Sequence, residues 1–237
     1  MKPIQLFKTL AVGVTAVGVL AATPALAQNK DYILNTASTG GTYHPVGTAI
    51  ATLSKVKLLP KQKFSLTAVN SAGSGANVQA LGADTAQFAI IQGLFGSYAA
   101  TGTGPVTAPQ TNMRSVSMLW QNVEQFVVAN QYAKTGTAAD LVAMKGMTMG
   151  FGKQNSGTIG SNRVLLKGLG LDMAKDFKLM HGGYGPTADA LANGQVAGIG
   201  APSGPPTGAI TKLMASNAAK FTMLTVTPDE AKKMDGG

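Results

Sequence analysis

Glycine and hydroxyl-bearing residues recur at five places where an apolar, strand-like run of the sequence ends. Glycine lets a ligand approach the backbone closely, and serine or threonine can cap a helix or offer a hydroxyl group. Such residues can bind an anion through N–H and O–H donors without reacting with it. The five clusters are STGGTY (38–43), NSAGSGAN (70–77), QG (92–93), FGKQNSGT (151–158) and APSGPP (201–206).

The positions of these clusters predict one shared binding site. Ligands of an open parallel sheet lie beyond the carboxyl ends of its strands, so we expect the clusters to meet there. For any single cluster, an ordinary capped turn between a strand and a helix remains an alternative. Backbone N–H groups of Gly40, Gly41 and the 156–158 turn would hold the ligand, and the ring of Tyr43 would form an aromatic wall. The complete set of predicted ligand-binding residues is Thr39, Gly40, Gly41, Thr42, Tyr43, Ser71, Ser74, Asn77, Gln92, Asn155, Ser156, Gly157, Thr158 and Ser203.

Catalytic arrangements find little support in the sequence. The only histidines, His44 and His181, fit structural roles in a loop and at a strand end. The segment GAPSG (200–204) has its serine one place too late for a nucleophile elbow. Lys153 is followed by glutamine, whereas a phosphate-binding loop needs serine or threonine there. The acidic residues form neither a catalytic pair nor a metal-ligand spacing. We therefore expect a binding protein rather than an enzyme, with no catalytic residue, metal or cofactor.

The predicted strands and helices that would position the five clusters alternate along the chain. Short apolar runs, among them 115–120 and 125–130, are separated by segments with helical spacing. Strand and helix in repeated alternation predict an α/β fold with parallel sheets covered on both faces.

The N-terminus and the composition indicate export. Residues 1–27 combine Lys2 and Lys8, an apolar stretch at 10–22 and the small-residue signal Ala25-Leu26-Ala27, which is typical of a cleavable signal peptide. The sequence has no cysteine, and its net charge of +9 comes from scattered lysines rather than from one basic stripe. We expect a periplasmic, monomeric protein that neither binds nucleic acid nor inserts stably into a membrane.

Three motifs carry a resemblance to a known family. STGGTYHPVG (38–47), SAGSGANVQAL (71–81) with AQFAIIQ (86–92), and GFGKQNSGT (150–158) are similar to segments of the TAXI proteins. These are the TRAP-associated extracytoplasmic immunogenic solute-binding proteins of tripartite ATP-independent periplasmic (TRAP) transporters.

The resemblance implies a type II periplasmic-binding-protein fold, a Venus flytrap with a ligand cleft between two lobes. Lobe one would comprise 28–124 together with a return segment, 225–237, and lobe two would comprise 125–224. The family usually continues beyond this point, so the C-terminal part of lobe one is expected to be missing from this sequence.

The function implied is capture of a small organic anion, a carboxylate or an acidic amino acid, and its delivery to the membrane permease subunits of a TRAP transporter. Three alternatives stay open: a solute-binding protein of an ABC importer, an accessory of a periplasmic sensor, and a periplasmic hydrolase.

Overall fold

Two β-sheets follow one another along the chain in the computed structural model, which describes residues 28–235. The predicted signal peptide, 1–27, lies outside the described residues. The first sheet has the order β2-β1-β3 and is entirely parallel. The second has the order β6-β5-β7-β4-β8, in which β4 runs antiparallel to both β7 and β8. The strands are β1 (Lys30–Asn35), β2 (Phe64–Val69), β3 (Phe88–Ala89), β4 (Phe126–Ala129), β5 (Thr148–Gly150), β6 (Lys178–Leu179), β7 (Gly198–Gly200) and β8 (Phe221–Leu224).

Helices connect these strands, which confirms the predicted α/β class. A π-helical turn, Ser54–Leu58, joins the first two helices, and short 3-10 turns occur at Asn130–Tyr132, Ala138–Met144 and Ala218–Lys220. No helix within 28–235 is both long and apolar enough to cross a bilayer. The α-helices are α1 (Tyr43–Leu53), α2 (Leu59–Gln62), α3 (Ser74–Gly82), α4 (Gly93–Thr101), α5 (Gly157–Gly168), α6 (Met173–Asp176), α7 (Tyr184–Ala192), α8 (Gly208–Asn217) and α9 (Pro228–Asp235).

The first lobe has two small hydrophobic clusters. Leu34, Leu66 and Ile90 are buried together with Ala51 of α1. On neighbouring positions the rings of Tyr32, Phe64 and Phe88 pack with centroids 5.3 to 6.0 Å apart. A separate cluster of Val78, Phe95 and Ala99 joins α3 to α4.

The second lobe has the larger core, which is divided by strand β4. Side chains alternate between the two faces of a strand. Accordingly, Phe126 and Val128 enter the cluster beneath α5 and α6, whereas Val127 enters the cluster beneath α7 and α8. All three side chains are almost completely buried.

Helix α9 packs on lobe two, whereas the resemblance implied that 225–237 belongs to lobe one. Met234 of α9 is buried in the core beneath α5. Thr227 and Glu230 form a reciprocal capping pair at the start of α9. Glu230 also accepts hydrogen bonds from the Thr137 hydroxyl and the Ala139 N–H of lobe two. An apolar contact and a buried carboxylate therefore hold this helix on lobe two, and up to residue 235 the chain does not return to lobe one after β8.

The expected strand at 115–120 is also absent. This stretch is irregular, and Val116 and Met118 are 83% and 87% exposed. A strand needs a hydrogen-bonded neighbour, and the apolar pattern alone does not supply one. The chain passes from the first lobe to the second through 121–125, between Trp120 of the first core and Phe126 of the second.

Candidate ligand-binding cleft

A cleft lies between the two lobes and is lined by both. The volume that the centre of a water molecule can reach is about 40 Å³. Since one water needs roughly 10–15 Å³ by this measure, the cleft suits a ligand of a few non-hydrogen atoms. The lining residues are Ala37, Ser38, Gly41, Thr42, Tyr43, Ala72, Gly73, Ser74, Gln92, Asn122, Lys153, Ser156, Gly157, Thr158, Gly182, Gly183, Tyr184, Pro202 and Ser203.

Four helices begin at this cleft, two from each lobe. Helices α1 and α3 contribute Tyr43 and Ser74, and helices α5 and α7 contribute Gly157 and Tyr184. The N–H groups of the first helical turn lack partners within the helix and carry partial positive charge. Four such ends around one small space form an environment that favours an anion.

Serine hydroxyls fix two of these helix ends. The Ser156 side chain caps α5 by accepting a hydrogen bond from the N–H of Ile159 at 3.2 Å. The Ser74 hydroxyl accepts from the N–H of Gln92 at 3.0 Å and so ties the start of α3 to the segment after β3. Because these hydroxyl oxygens serve as acceptors within the protein, their main effect is to orient the backbone around the ligand.

Lys153 is the cationic side chain of the cleft lining. It extends from the loop between β5 and α5, and its Nζ lies 3.4 Å from the carbonyl oxygen of Ser71 in lobe one. Lys153 is not among the binding residues predicted from the sequence, where its only indicated role was in a phosphate-binding loop that the next residue excludes. Its place inside the FGKQNSGT cluster was a usable signal, since a lysine at a strand end beside a helix N-terminus adds positive charge there.

Two tyrosines close the cleft from opposite lobes. Tyr43 packs edge-on against Trp120 with centroids 5.6 Å apart, and its hydroxyl accepts from Asn122 at 3.3 Å. The Tyr184 hydroxyl donates to the Pro202 carbonyl at 2.5 Å and accepts from Thr158 at 2.7 Å. Burial raises the pKa of both phenols, so both remain neutral at physiological pH.

A partly buried acid, Glu124, lies next to the cleft. Burial raises the pKa of Glu124, and a hydrogen bond from Ser161 to Glu124 Oε1, at 2.6 Å, offsets part of this rise. The second carboxylate oxygen, Oε2, is buried and has no hydrogen-bond partner among the described residues. Sequence reasoning missed Glu124, because no sequence pattern separates one buried acid from the exposed acids.

The lobes touch each other on both rims of the cleft. On one rim Thr42 hydrogen-bonds Ser203 through its N–H at 3.2 Å and its hydroxyl at 2.8 Å. On the other rim the N–H of Ala76 donates to the carbonyl of Asn155 at 3.0 Å, and Asn155 Nδ2 donates to Gln79 Oε1 at 2.7 Å. The structure is therefore a closed arrangement in which a bound ligand would be enclosed.

Many of the predicted binding residues line the cleft, and the others lie beside it. Ser71 donates its hydroxyl to the Thr36 carbonyl, and Asn155 belongs to the rim contact. Those that line the cleft are Gly41, Thr42, Tyr43, Ser74, Gln92, Ser156, Gly157, Thr158 and Ser203. Those outside the lining are Thr39, Gly40, Ser71, Asn77 and Asn155.

The glycine pair 40–41 lies where the two lobes approach each other closely. A Cβ atom on Gly40 would lie 2.8 Å from the backbone nitrogen of Gly185, and one on Gly41 would lie 3.2 Å from the ring of Tyr184. The Gly41 N–H donates within its own turn to the Ser38 carbonyl at 3.2 Å, and the Gly40 carbonyl accepts from Ala209 at 3.0 Å. The missing side chains thus allow the close approach of lobe two.

Asn77 is fully buried behind the cleft, and lobe two has a counterpart in Asn162. The Asn77 amide donates to the carbonyls of Thr36 and Ile90 at 2.7 and 2.9 Å, which joins the ends of two strands. The Asn162 amide donates to Phe151 and Gly200 at 3.4 and 3.2 Å. Each lobe therefore uses one buried asparagine to hold two strand ends together below the ligand cleft.

Neither histidine lies in the lining of the cleft. His44 Nδ1 is 3.0 Å from the Thr36 hydroxyl, and His181 Nδ1 is 3.3 Å from the Gly152 carbonyl. Within 28–235, no group of three or more histidine or acidic side chains could hold a metal ion.

Comparison with solved structures identifies the fold. The binding-protein component of an ABC phosphonate transporter from Pseudomonas aeruginosa matches with a TM-score of 0.56 at 12% identity, over 88% of this chain and 74% of that chain. The Prochlorococcus marinus protein PhnD1, in complex with methylphosphonate, matches with a TM-score of 0.58 at 15% identity. The match covers 85% of this chain and 74% of that chain.

An alkanesulfonate-binding protein from Xanthomonas axonopodis pv. citri, bound to MOPS, gives a TM-score of 0.50 at 15% identity, over 84% of this chain. The present chain spans 61% of that protein's length. At such identities the likeness concerns the fold, which is that of two-lobed periplasmic binding proteins, as predicted.

A family model described as the NMT1-like family matches residues 34–236. The match does not single out the TRAP-associated proteins that the sequence resembles. Because it extends over most of the chain, this protein belongs to the NMT1-like family.

Proposed function

We propose that this protein is the solute-binding component of a membrane importer and captures a small oxyanion between its lobes. The observation that carries the proposal is the meeting of four helix N-termini and Lys153 at one cleft. Their partial and full positive charges favour an anionic group, and neutral hydroxyls and amides around them fix its orientation.

The closed arrangement suggests how capture would work. A ligand that touches both lobes stabilises the closed state over the open one, and an importer can then recognise that state. The direct lobe contacts at Thr42–Ser203 and Ala76–Asn155 would form only on closure.

Phosphonates, sulfonates and carboxylates are the oxyanions that we propose as ligand classes. The solved neighbours include proteins named for phosphonate and alkanesulfonate binding, and carboxylates were expected from the sequence. The Pseudomonas aeruginosa neighbour is named as a component of an ABC phosphonate transporter, which favours an ATP-driven importer over a TRAP permease for this chain. The fold and the cleft serve either partner equally well.

Isothermal titration calorimetry of the protein against small oxyanions and neutral sugars of similar size tests the ligand class. We expect saturable binding of at least one oxyanion and none of the sugars. Binding of a sugar, or of no oxyanion in the panel, would contradict the proposal. Uptake into vesicles that contain the genetically linked permease, energised by ATP or by an ion gradient, then separates the two importer classes.

A further inference from the structure

Four buried side-chain oxygens have no hydrogen-bond partner among the described residues: those of Asn77 and Asn162 lie behind the cleft, and two others lie at the cleft itself. The two at the cleft are Glu124 Oε2 and Gln92 Oε1, and both atoms are shielded from solvent. A buried acceptor without a donor is costly, above all when it belongs to a carboxylate. A ligand that brings a donor would remove this cost.

The backbone conformation around Glu124 shows on which side of the chain its side chain lies. Val123 pairs with Ser203 through two hydrogen bonds of 2.9 and 3.1 Å, so the chain is extended here. Side chains two residues apart on an extended chain point to the same side, and Asn122 lines the cleft. Glu124 therefore lies on the cleft side of this segment.

Helix α5 holds the carboxyl group of Glu124 through Ser161, about one helical turn after the helix N-terminus. Ser161, which donates to Glu124 Oε1, comes four residues after Gly157 and so lies on the same face of the helix. A Cβ atom on Gly157 would lie 2.8 Å from Gln92 Oε1. The two unpartnered oxygens thus flank the same face of α5, with Gln92 at its first turn and Glu124 below.

The charges around Glu124 leave its carboxylate uncompensated. Burial, and to a smaller extent the negative charge of Glu124, raises the pKa of the phenols of Tyr43 on α1 and Tyr184 on α7, so these two neighbours are neutral. Lys153 lines the cleft but hydrogen-bonds the Ser71 carbonyl rather than Glu124. A ligand with an anionic group alone would meet the carboxylate as a like charge.

We propose that Glu124 determines specificity: the cleft selects an anion that also carries an O–H or N–H donor, which the Glu124 carboxylate accepts. This inference rests on the proposed capture of an oxyanion. The helix N-termini and Lys153 would bind the anionic end, and Glu124, assisted by Gln92, would bind the donor. An anion of equal size without a donor would leave Glu124 buried and unpaired.

Isosteric ligand pairs test the inference directly. Glycolate and propanoate have the same charge and heavy-atom count, and differ only in a hydroxyl against a methyl group. Hydroxymethylphosphonate and ethylphosphonate form a second such pair. In calorimetric titrations at neutral pH, we expect the hydroxyl-bearing member of a bound pair to bind about tenfold more tightly or better, as for a hydrogen bond to a charged group.

Variants at Glu124 assign the preference to this residue. Glu124→Met has a similar size and no acceptor, so we expect the hydroxyl preference to disappear while the methyl-bearing ligand binds at least as well. Glu124→Gln keeps one acceptor oxygen and should retain part of the preference. Asp189→Asn removes the same charge from an exposed position and should leave the preference unchanged.

Three results would overturn the inference. The first is that the natural protein binds both members of each pair equally well. The second is that Glu124→Met keeps the preference for the hydroxyl-bearing ligand. The third is that Asp189→Asn loses this preference as fully as Glu124→Met does. Binding without discrimination overturns this inference alone, whereas failure of every anion to bind overturns the proposed function as well. If Glu124→Met does not fold, as judged by circular dichroism, the ratio of the two affinities within each ligand pair, measured on the natural protein, still tests whether the cleft selects a donor.

Discussion

Gly75 of lobe one and Asn155 of lobe two are in contact across the rim of the cleft. A Cβ atom at position 75 would lie 2.6 Å from the backbone oxygen of Asn155. That oxygen also accepts the Ala76 N–H, so it cannot withdraw without losing a hydrogen bond between the lobes. Gly75 is therefore needed for closure, although it lies at the start of a helix where alanine would otherwise be favoured.

The variant Gly75→Ala is expected to remain folded but open. The added methyl group meets lobe two only in the closed state, so the folding of each lobe is unaffected. We expect a larger radius of gyration in small-angle X-ray scattering with a saturating ligand, and a weaker affinity. Gly93→Ala provides a matched control, because position 93 also begins a helix and has open space around it. Equal scattering profiles for the natural protein and Gly75→Ala would refute the steric argument.

Lys153→Met should weaken the binding of any oxyanion by about tenfold, or on the order of 1.4 kcal/mol, because a charge-assisted contact is lost. Lys167→Met removes a lysine from an exposed face of α5, so it controls for the change in net charge. Titration at two salt concentrations checks the cause, since the difference between the natural protein and Lys153→Met should shrink at high salt. An affinity unaffected by Lys153→Met would exclude this lysine from ligand binding.

Asn162→Ala should destabilise lobe two by about 2–3 kcal/mol, since two buried carbonyls lose their donor. Thermal unfolding followed by circular dichroism measures this loss. Asn193→Ala, at the exposed end of α7, should have little effect and serves as the control. Equal melting temperatures for both variants would mean that water replaces the amide at these strand ends.

Glu124 should make the protein less stable as the pH rises. Burial, the main cause, raises the pKa of Glu124 above its ordinary value of 4.5, so folding favours the protonated form. The stabilising effect is complete below the ordinary value and is lost as the pH rises through the higher pKa of the folded state. We therefore expect Glu124→Gln to melt at a higher temperature than the natural protein near neutral pH, and at a similar temperature near pH 4. The reverse order would mean that the folded protein stabilises the ionised carboxylate.

Asp140 should have the opposite pH dependence. Burial alone would raise the pKa of this carboxyl group, but hydrogen bonds from the N–H and hydroxyl of Thr135 and the N–H of Gly136 outweigh it and lower the pKa. The stability from Asp140 is thus present above its ordinary value of 3.8 and is lost as the pH falls through the lower, folded pKa. Asp140→Asn should lower the melting temperature at neutral pH, with a smaller effect in strong acid. A pH-independent difference would indicate that shape rather than charge matters at this position.

The sequence predicted the α/β class and several residues of the cleft lining, because both depend on local chemistry. A capping serine such as Ser156, and a strand followed by a glycine-rich turn, can be read from neighbouring residues alone. The role of Gly40 could not be read from neighbouring residues, because the atoms that exclude a side chain there belong to Gly185 and Ala209, which are distant in sequence. The same holds for Glu124, whose hydrogen-bond partner Ser161 lies 37 residues further along the chain, on α5.

The wrong predictions concern elements whose formation or location depends on residues that are distant in sequence. The apolar run at 115–120 looks like a strand, yet no neighbouring strand within 28–235 pairs with it. Helix α9 looked like a segment of lobe one, but its position follows from Met234 and from the contacts that Glu230 makes with Thr137 and Ala139.

Within 28–235 the backbone joins the two lobes once, through 121–125. Torsion about the length of this segment would turn one lobe relative to the other. The pairing of Val123 with Ser203 limits this rotation on one side. The hydrogen bonds at the two rims oppose the same rotation, so the residues that close the cleft also align its halves.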